Sequence, residues 1–577
     1  MRSLVLSLLA LAAQAVALPE YVGTEEPFAA EAVYFLITDR FVDGDPTNNQ
    51  ETQGGEYPTF DLPVLAANGV EANIGYLGGD FRGVLDHADY IRDMGFTAVW
   101  LTPVVDNPDQ SFSGGDAIGE SIWADRGKAG YHGYWGVNFY RLDEHLPSTG
   151  LDYAAFVTGM NSHGLDVVLD IVANHGSPSF TMPRDQPGFG ELYDASGTLV
   201  ADHQNLLPRE LDYSNPLHRF YHREPDLVQL SNLNEDNPAL RDYLINSYLH
   251  WLDQGAAALR IDTIKHVSND FWKEMSDRVR ARHPGLFMFA EHFSYEAREI
   301  AAHQRLENGA ISVLDFPGQR AMQKVFGDPT GDYADLLDYL HLEDGIYVNP
   351  YELMTFYDNH DMPRMDAADE GFIDAHNWLF TSRGIPIIFY GSEIGFMRGT
   401  GEHEGNRNYF GVENIEKARG HPIRRALAAI AQVRLESVAL QRGLQVNLNF
   451  DGHTAMFLRV YQSGGKGQLA LVMLNKGDEP VAMEAADLLD SGEWHDVIGG
   501  DTKIVAAGSD GLTARVPAHG VRVWMHDGPV RNPRLVARLE ALQRAVSMQT
   551  GAAGLPDHKA RGEQTGLDGF TVDQVDE

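Results

Sequence analysis

The 577-residue sequence contains no cysteine. Disulfide bonds, thiol nucleophiles and cysteine-ligated metal sites are therefore excluded. Basic residues are few as well: 44 Lys and Arg stand against 83 Asp and Glu, so the formal net charge is 44 − 83 = −39. Because phosphate binding requires clustered Lys and Arg, no nucleic-acid partner is expected. A neutral ligand such as a sugar is more compatible with this charge.

Apart from the N-terminus, the chain has no apolar run long enough to span a membrane. Its start, MRSLVLSLLALAAQAVALPE, combines Arg2, an apolar stretch over 4–13 and the small residues of 15–17. This pattern predicts a signal peptide over residues 1–17 and an exported mature protein, in the periplasm or the medium, that has no membrane partner. A retained anchor is the alternative, but the apolar core is short for a membrane span.

Eight short apolar runs alternate with amphipathic stretches in the first three quarters of the chain. The runs are rich in Val, Ile, Leu and Phe without polar alternation, which is typical of parallel strands covered on both faces. This alternation predicts an α/β fold closed into a (β/α)8 TIM barrel. An open doubly wound sheet is the alternative, but no G-x-G-x-x-G follows the first run. The runs are 32–41, 96–103, 166–175, 257–263, 286–293, 311–317, 353–361 and 385–393.

The changes of pattern along the chain predict several domains. The barrel is expected over 25–175 and 237–437, interrupted by a proline-rich insertion at 176–236. Alternating strands over 438–526 predict a C-terminal antiparallel β-sandwich. A helix and a mobile Gly-rich acidic tail are expected over 527–577.

Polar residues end several of the predicted strands, and in a barrel these ends meet at one mouth. Arg260 and Asp262 alternate with an apolar residue, so both side chains lie on the same face of their strand. A carboxylate-rich mouth suits glycoside chemistry, in which one acid protonates the leaving oxygen and another carboxylate attacks the anomeric carbon. A metal hydrolase is the alternative, but no H-E-x-x-H or similarly tight spacing occurs. The other polar strand ends carry Asp170, Asn174, His175, Glu291, His360 and Asp361.

Four of these strand ends form a recognisable set of motifs. They read DIVANH (170–175), LRIDTIKH (259–266), FAEHF (289–293) and FYDNHD (356–361). In this order the motifs resemble the α-amylase superfamily, glycoside hydrolase family 13, and the resemblance extends over about residues 30–526. Within that superfamily, YHGYWGVNFY, DGDPTNN, LGGDFRGV and WHDVIGG are most similar to cyclodextrin glucanotransferases and their amylase relatives.

The resemblance implies a retaining double displacement on an α-glucan. Asp262 is then the nucleophile, Glu291 the general acid and base, and Asp361 a ligand of the sugar hydroxyls. From the residues themselves, Arg260 is expected to lower the pKa of Asp262, and the flanking Phe289 and Phe293 to raise that of Glu291. The resemblance further implies substrate contacts from His132, Tyr134, Trp135, Asp170, His175, Arg260, Lys265, His266, His360 and Arg407.

Two sets of residues are candidates for binding calcium. Oxygen donors of the kind that Ca²⁺ prefers come from Asp43, Asp45, Asn48, Asn49, the Gly78 carbonyl and Asp80. An Asx-rich turn without an ion is the alternative. The resemblance implies a second calcium at Asn174 and the His266 carbonyl, but Gln229 occupies the position where an Asp is expected.

The leading functional hypothesis is an exported hydrolase of α-1,4-glucosidic bonds in starch, maltodextrins or cyclodextrins. A cyclodextrin glucanotransferase or another 4-α-glucan transglycosylase is the alternative. Hydrolysis is favoured because Glu224 stands where the glucanotransferases place a central aromatic residue, although a small gap could bring Phe220, Tyr221 or His222 to this position. Their starch-binding β domains are missing as well. A non-catalytic glucan-binding protein is the alternative from another class. The presence of Asp262, Glu291 and Asp361 argues against it.

Overall fold

The computed structural model describes residues 18–65, 69–117, 125–183, 186, 188–506 and 511–547. The predicted signal peptide and residues 548–577 of the predicted tail lie outside the described residues. Within the described residues, no helix combines the length and the hydrophobicity that crossing a membrane requires.

Eight parallel strands form the barrel, which confirms the predicted fold. They are β1 (Val33–Leu36), β2 (Ala98–Leu101), β3 (Asp166–Ile171), β4 (Ala258–Ile261), β5 (Phe287–Ala290), β6 (Ser312–Val313), β7 (Met354–Thr355) and β8 (Ile385–Phe389). Their order in the sheet is β6-β5-β4-β3-β2-β1-β8-β7. A parallel bridge between Leu314 and Met354 joins the two outer strands and closes the barrel.

Helices cover the outside of the barrel. The helix Pro238–Leu252 shows how the sequence starts one: Pro238 occupies its first turn, and the Asn237 side chain accepts a hydrogen bond from the Ala239 amide. The other barrel helices are Thr38–Phe41, Phe81–Asp86, Ala88–Arg92, Tyr153–Ser162, Asn269–Arg282, Ala297–Ile300, Phe316–Gly327, Leu337–Leu340, Asp369–Thr381, Gly411–Ala418, Pro422–Leu435 and Val438–Arg442.

Long loops after the first three strands build up the mouth of the barrel. The loop after β1 contains the hairpin Pro63–Leu65 with Glu71–Asn73, and the loop after β2 pairs Val105–Asp106 with Asn138–Leu142. The insertion after β3 is described by two antiparallel pairs. His175–Pro178 pairs with Leu230–Asn232, and Glu191–Tyr193 pairs with Leu199–Asp202.

The C-terminal domain is antiparallel. Its strands are β9 (Leu444–Asp451), β10 (Thr454–Ser463), β11 (Lys466–Asn475), β12 (Val481–Ala485), β13 (Gly492–Asp496), β14 (Thr502–Val505), β15 (Leu512–Val516) and β16 (Gly520–Asp527). Six of them form the sheet β9-β10-β11-β16-β13-β14, and β12 pairs with β15. The helix Pro533–Ser547 follows and buries Leu535, Leu539 and Leu542.

Candidate active site

The carboxyl ends of the barrel strands surround one cavity. Asp170 and Arg260 lie behind its wall, whereas every other residue predicted to bind or react with the substrate lines it. The rest of the lining comes from residues for which the sequence predicted no substrate contact: Asp125, Lys128, Asp226, Leu227, Val228, Leu230, Thr263, Phe293 and His403.

Arg260 connects the carboxylates at the mouth. Its Nη1 donates to Asp262 Oδ1 at 2.9 Å and to Asp170 Oδ1 at 3.0 Å, while Nη2 donates to Glu291 Oε2 at 2.6 Å. The strand register explains this convergence, because Arg260 on β4 is directly opposite Asp170 on β3 and Phe289 on β5. One buried guanidinium therefore holds the predicted nucleophile and the predicted acid side by side.

The chain turns sharply immediately after Asp262. Thr263 adopts φ 47° and ψ 40°, a left-handed conformation that is costly for a β-branched residue. Its Oγ1 donates to Asp262 Oδ2 at 3.0 Å. Both oxygens of Asp262 are therefore held, one by Arg260 and one by Thr263. Thr263 was not predicted, although it directly follows the predicted nucleophile.

Burial and neighbouring charges separate the two carboxyl groups. Burial raises the pKa of Asp262 to about 6 although Arg260 opposes the rise. The expected effect of Arg260 thus has the right sign but is smaller than that of burial. For Glu291, burial again has the largest effect, Arg260 opposes it, and the carboxyl groups of Asp262 and Asp361 add to it, so that its pKa rises to about 8. This order of the two pKa values favours an ionised Asp262 beside a protonated Glu291.

Asp361 has a different environment. Burial disfavours its charge, but His360, Arg407, His403 and Arg260 outweigh burial and hold the pKa of Asp361 below its usual range. Arg407 Nη2 lies 2.5 Å from its Oδ1, and His360 Nε2 lies 3.1 Å from its Oδ2. Asp361 is therefore a fixed negative charge. His403, at 3.7 Å, was not predicted, although it lies four residues before Arg407.

Aromatic rings form one side of the cavity. Tyr134 stacks on His360 with ring centroids 5.3 Å apart, and its hydroxyl donates to Asp170 Oδ2 at 2.9 Å. Trp100 Nε1 donates to the same oxygen at 2.9 Å. Asp170 therefore positions Tyr134 and Arg260 from behind the wall. His132 and Trp135 continue this face, with ring centroids 4.8 Å apart.

The residues that line this cavity lie in segments that match a known protein family. A family model described as "Alpha amylase, catalytic domain" matches residues 35–187 and 212–428. The chain belongs to the alpha-amylase family. Membership makes it an α-amylase-type glycoside hydrolase or transglycosylase, as predicted from its four motifs.

Individual members of the alpha-amylase family match most of the chain. A cyclomaltodextrin glucanotransferase of Paenibacillus macerans is 27% identical over 531 residues, which cover 88% of this chain and 69% of the relative. The crystal structure of a cyclomaltodextrin glucanotransferase with a three-domain ABC distribution has a TM-score of 0.69 at 27% identity, covering 87% of this chain and 99% of that one. An α-amylase of Geobacillus thermoleovorans, complexed with acarbose, has a TM-score of 0.66 at 24% identity, covering 87% and 99%, a level that shows the fold alone.

The structure corrects the expectation for the centre of the cavity. Glu224 is exposed and lies outside the lining, and none of residues 220–222 reaches it. Leu227 and Val228 line the cavity instead. Val228 has a φ of 42°, another left-handed β-branched residue at this site. Neither Glu224 nor the aromatic residues before it therefore contribute to the cavity in the described structure.

Lys265 and His266, which were predicted to contact the substrate, line the cavity together with Glu291. Lys265 Nζ donates to the Phe293 carbonyl at 3.1 Å, and His266 Nδ1 lies 3.2 Å from Asp226 Oδ1. Burial lowers the pKa of Lys265, with Glu291 opposing the shift. His175 lines the same cavity, and burial lowers its pKa to about 3, so this imidazole is neutral.

The first predicted calcium site contains unsatisfied oxygens. Asp43 Oδ1, Asn48 Oδ1 and Asn49 Oδ1 are buried without a hydrogen-bond donor. The amide nitrogens of the two asparagines donate to carboxylates: Asn49 to Asp43 at 3.0 Å and Asn48 to Asp80 at 3.2 Å. Their carbonyl oxygens remain for another ligand. Gly78 approaches closely, since a Cβ there would lie 2.5 Å from Asn49 Oδ1. This donor set fits a hard cation such as Ca²⁺.

The second predicted calcium site needs a correction. Asn174 is fully buried, and both its Oδ1 and Nδ2 lack a partner in the described structure. Gln229, the residue considered from sequence, instead donates to Asp125 Oδ2 at 2.5 Å. Asn232 pairs with His175, the residue after Asn174, and Asn232 Oδ1 is also buried without a donor. Each of these two asparagines therefore has a buried amide oxygen that accepts no hydrogen bond in the described structure.

A further acidic group was not predicted. Ligand oxygens of Asp106, Asp109 and Glu144 lie within 4.8 Å of one another in the described structure. Burial, followed by Asp143, raises the pKa of Asp106 to about 8 and that of Glu144 to about 7. These carboxyl groups lie away from the catalytic cavity.

Proposed function

We propose that the chain is a secreted retaining α-glycosidase that hydrolyses α-1,4-glucosidic bonds in starch, maltodextrins or cyclodextrins. The observation that carries this proposal is the pair of hydrogen bonds by which Arg260 holds Asp262 and Glu291 side by side, where the pKa of Glu291 is raised above that of Asp262. Retaining glycosidases require two carboxyl groups about 5–5.5 Å apart, one charged and one neutral. Two carboxyl groups that bind adjacent nitrogens of one guanidinium are close enough for this chemistry.

The reaction then proceeds in two steps. Glu291 transfers its proton to the glycosidic oxygen while Asp262 attacks the anomeric carbon, which breaks the bond and forms a covalent glycosyl-enzyme. In the second step, the Glu291 carboxylate removes a proton from water, and the water oxygen displaces Asp262. Two inversions restore the α configuration, and both carboxyl groups return to their starting protonation states.

The remaining wall positions the reacting glucose. Asp361 and Arg407 offer a carboxylate and a guanidinium to sugar hydroxyls, and the neutral His175 and His360 offer ring nitrogens. Tyr134 presents an aromatic ring to the apolar face of the glucose. Arg260 and Asp170 act through the other residues and are positioning residues.

A 4-α-glucan transglycosylase is the second candidate. The similarity to cyclomaltodextrin glucanotransferases favours it. The expectation that a glucanotransferase carries starch-binding domains no longer argues against it, because a glucanotransferase of three domains matches this chain along 99% of its own length. None of residues 220–224 brings an aromatic ring into the cavity, and the aliphatic Leu227 and Val228 line it instead, which still favours hydrolysis.

The test is product analysis with purified protein on soluble starch and maltoheptaose. We expect shorter chains that are released as α-anomers, observed by proton NMR, and a Glu291→Gln variant slowed by about 10²- to 10⁴-fold. The exposed Glu296→Gln, five residues away, is the matched control and is expected to keep wild-type activity. Rings or lengthened chains as main products would establish the transglycosylase. Wild-type activity in Glu291→Gln would reject the assignment of the acid.

The proposal includes calcium and export. Asp43, Asn48, Asn49 and the Gly78 carbonyl would hold one Ca²⁺, which would supply the positive charge that their buried oxygens lack. Asn174 and Asn232 would contribute to a second, weaker site. The proposed signal peptide, residues 1–17, would direct the protein out of the cell.

A further inference from the structure

The residue after the proposed nucleophile adopts a backbone conformation that its side chain disfavours. Thr263 is partly exposed and lines the cavity. Its φ of 47° lies in the left-handed region, where a residue with two heavy atoms on its Cβ is strained and a glycine is not. Strain of this kind persists where the side chain has a use that outweighs its cost. A threonine at this position therefore indicates a function for its side chain.

The backbone of this turn does not require a side chain at residue 263. The Ile264 amide donates to the Glu291 carbonyl at 3.0 Å, and the Glu291 amide donates to the Ile261 carbonyl at 2.8 Å. Trp272 Nε1 donates to the Ile264 carbonyl at 2.9 Å. These bonds join the ends of β4 and β5, and a glycine at residue 263 would allow all of them. The turn explains the left-handed backbone but not the threonine.

The Thr263 hydroxyl contacts the nucleophile directly. Its Oγ1 donates to Asp262 Oδ2 at 3.0 Å, and Arg260 Nη1 donates to the other oxygen, Oδ1, at 2.9 Å. The last torsion of an aspartate side chain is broad, so a carboxylate held at one oxygen can still rotate. Donors to both oxygens fix the plane of the carboxylate. Because each oxygen has two lone pairs, Oδ2 can accept this hydrogen bond and still attack an anomeric carbon.

The two donors to Asp262 respond differently to the reaction. Arg260 is shared, because it also donates to Asp170 at 3.0 Å and to Glu291 at 2.6 Å. Once Glu291 has given up its proton, it is a carboxylate and competes more strongly for this guanidinium. The Thr263 hydroxyl is neutral, so its charge does not change with that proton. It can therefore hold Asp262 in place while the charges around it change.

We propose that Thr263 is a positioning residue for the nucleophile, whose hydroxyl holds Asp262 Oδ2 in the orientation from which it attacks the anomeric carbon. This proposal rests on the proposed function. In the first step a lone pair of Oδ2 forms the bond to the anomeric carbon, and the leaving group takes the electrons of the bond that breaks. In the second step Oδ2 regains its pair when water displaces it. Thr263 keeps its own proton in both steps.

The experiment measures the first step with α-maltotriosyl fluoride. Fluoride leaves without being protonated by the enzyme, so kcat/KM for its release depends on Asp262 and not on the proton of Glu291. Two pairs of side chains differ in the hydroxyl group: threonine and valine, which are both β-branched, and serine and alanine, which are both unbranched. Thr263→Val and Thr263→Ala thus lose the hydroxyl, whereas Thr263→Ser keeps it.

We expect kcat/KM at neutral pH to fall about tenfold in Thr263→Val and Thr263→Ala and to stay within about threefold of the wild type in Thr263→Ser. Loss of a donor to the charged carboxylate raises the pKa of Asp262. The acid limb of the pH profile should therefore move to higher pH by about 0.5–1 in the first two variants and stay in place in Thr263→Ser. The charged groups that face Asp262 are the same in every variant: Arg260, Asp170, Glu291 and Asp361.

The matched control is Thr158→Val, at an exposed threonine on the helix Tyr153–Ser162, which should keep the wild-type rate and acid limb. A wild-type rate and acid limb in folded Thr263→Ala, with folding checked by circular dichroism, would overturn the inference and leave the proposed function intact, whatever the result for the bulkier Thr263→Val. Equal losses in all three variants of residue 263 with an unmoved acid limb would assign a purely structural role and overturn it as well. No fluoride release by the wild type would overturn the proposed function and the inference with it.

Discussion

Asp262 and Glu291 contact the same guanidinium, yet they differ in protonation. Their mutual repulsion contributes to the difference, since the charge of Asp262 raises the pKa of Glu291, while Arg260 opposes the rise in both groups. Thr263 adds a second donor to Asp262 alone. At the scale of single residues, burial thus raises the pKa of both groups, and the neighbouring charges make the two values differ.

This asymmetry predicts a bell-shaped pH dependence. Asp262 must be ionised, so kcat/KM should fall as the pH drops below about 6, and Glu291 must be protonated, so it should fall as the pH rises above about 8. Because the two groups interact, each limb of the pH profile reports an apparent pKa of the pair and not of one residue. The measurement is kcat/KM on maltoheptaose across this range. A flat profile above pH 8 would contradict the role of Glu291 as the acid.

At the scale of elements, the loop after β1 uses its acidic residues for two purposes. Asp80 begins the helix Phe81–Asp86 by accepting a hydrogen bond from the Gly83 amide, and Asp45 begins the short helix Pro46–Asn48 in the same way. The free oxygens are those of Asp43 and the two asparagines beside it. A buried oxygen without a donor is unfavourable, and a bound cation would remove that cost.

This loop is therefore expected to make stability depend on calcium. Adding CaCl2 to chelator-treated protein should raise the Tm of the wild type, since a ligand at 100 times its Kd contributes about 2.7 kcal/mol. Asp43→Ala should lose most of this shift, whereas Asp277→Ala, an exposed carboxylate on the helix Asn269–Arg282, should retain it. An equal shift in both variants would show that calcium does not bind at Asp43.

At the scale of the whole molecule, buried polar groups fasten the C-terminal domain to the barrel. Arg459 on β10 donates to the Thr381 carbonyl at 2.9 Å, at the end of the helix Asp369–Thr381. His519 bridges the same helix and the C-terminal domain, with Nδ1 2.7 Å from Asp374 and Nε2 3.0 Å from Asp478. The domains therefore share one polar interface as well as a continuous apolar core.

The His519 bridge predicts a pH-dependent contribution to stability. Its hydrogen bond to Asp374 raises the pKa of His519 to about 9, burial opposes the rise, and Asp478 adds to it. Burial raises the pKa of Asp374 to about 6, although the hydrogen bond from His519 lowers it. A histidine whose pKa is raised on folding stabilises the folded protein fully at pH values below its pKa in the unfolded chain. This stabilisation is lost as the pH rises through the folded pKa of about 9. The Tm difference between wild type and His519→Gln should thus be larger at about pH 7 than at about pH 10, and an unchanged difference would contradict the bridge.

Much of the site was predictable because it depends on local order. Strand ends in a parallel barrel share one mouth, so Asp262, Glu291 and Asp361 could be brought together from their places on three strands. The residues that were missed, such as His403, Val228 and Asn232, belong to loops and to the insertion. Their neighbours are far away in sequence, and no periodicity indicates which of them meet.

The sequence by itself determined the eight-strand alternation, the polar strand ends and the residues available for the chemistry, because each of these follows from the order of side chains along short segments. The folded chain was needed to show that Arg260 binds both Asp262 and Glu291, that Asp170 lies behind the wall of the cavity, and that Gln229 of the insertion donates to Asp125. These contacts depend on how long loops pack against one another, and that packing is a property of the whole folded chain.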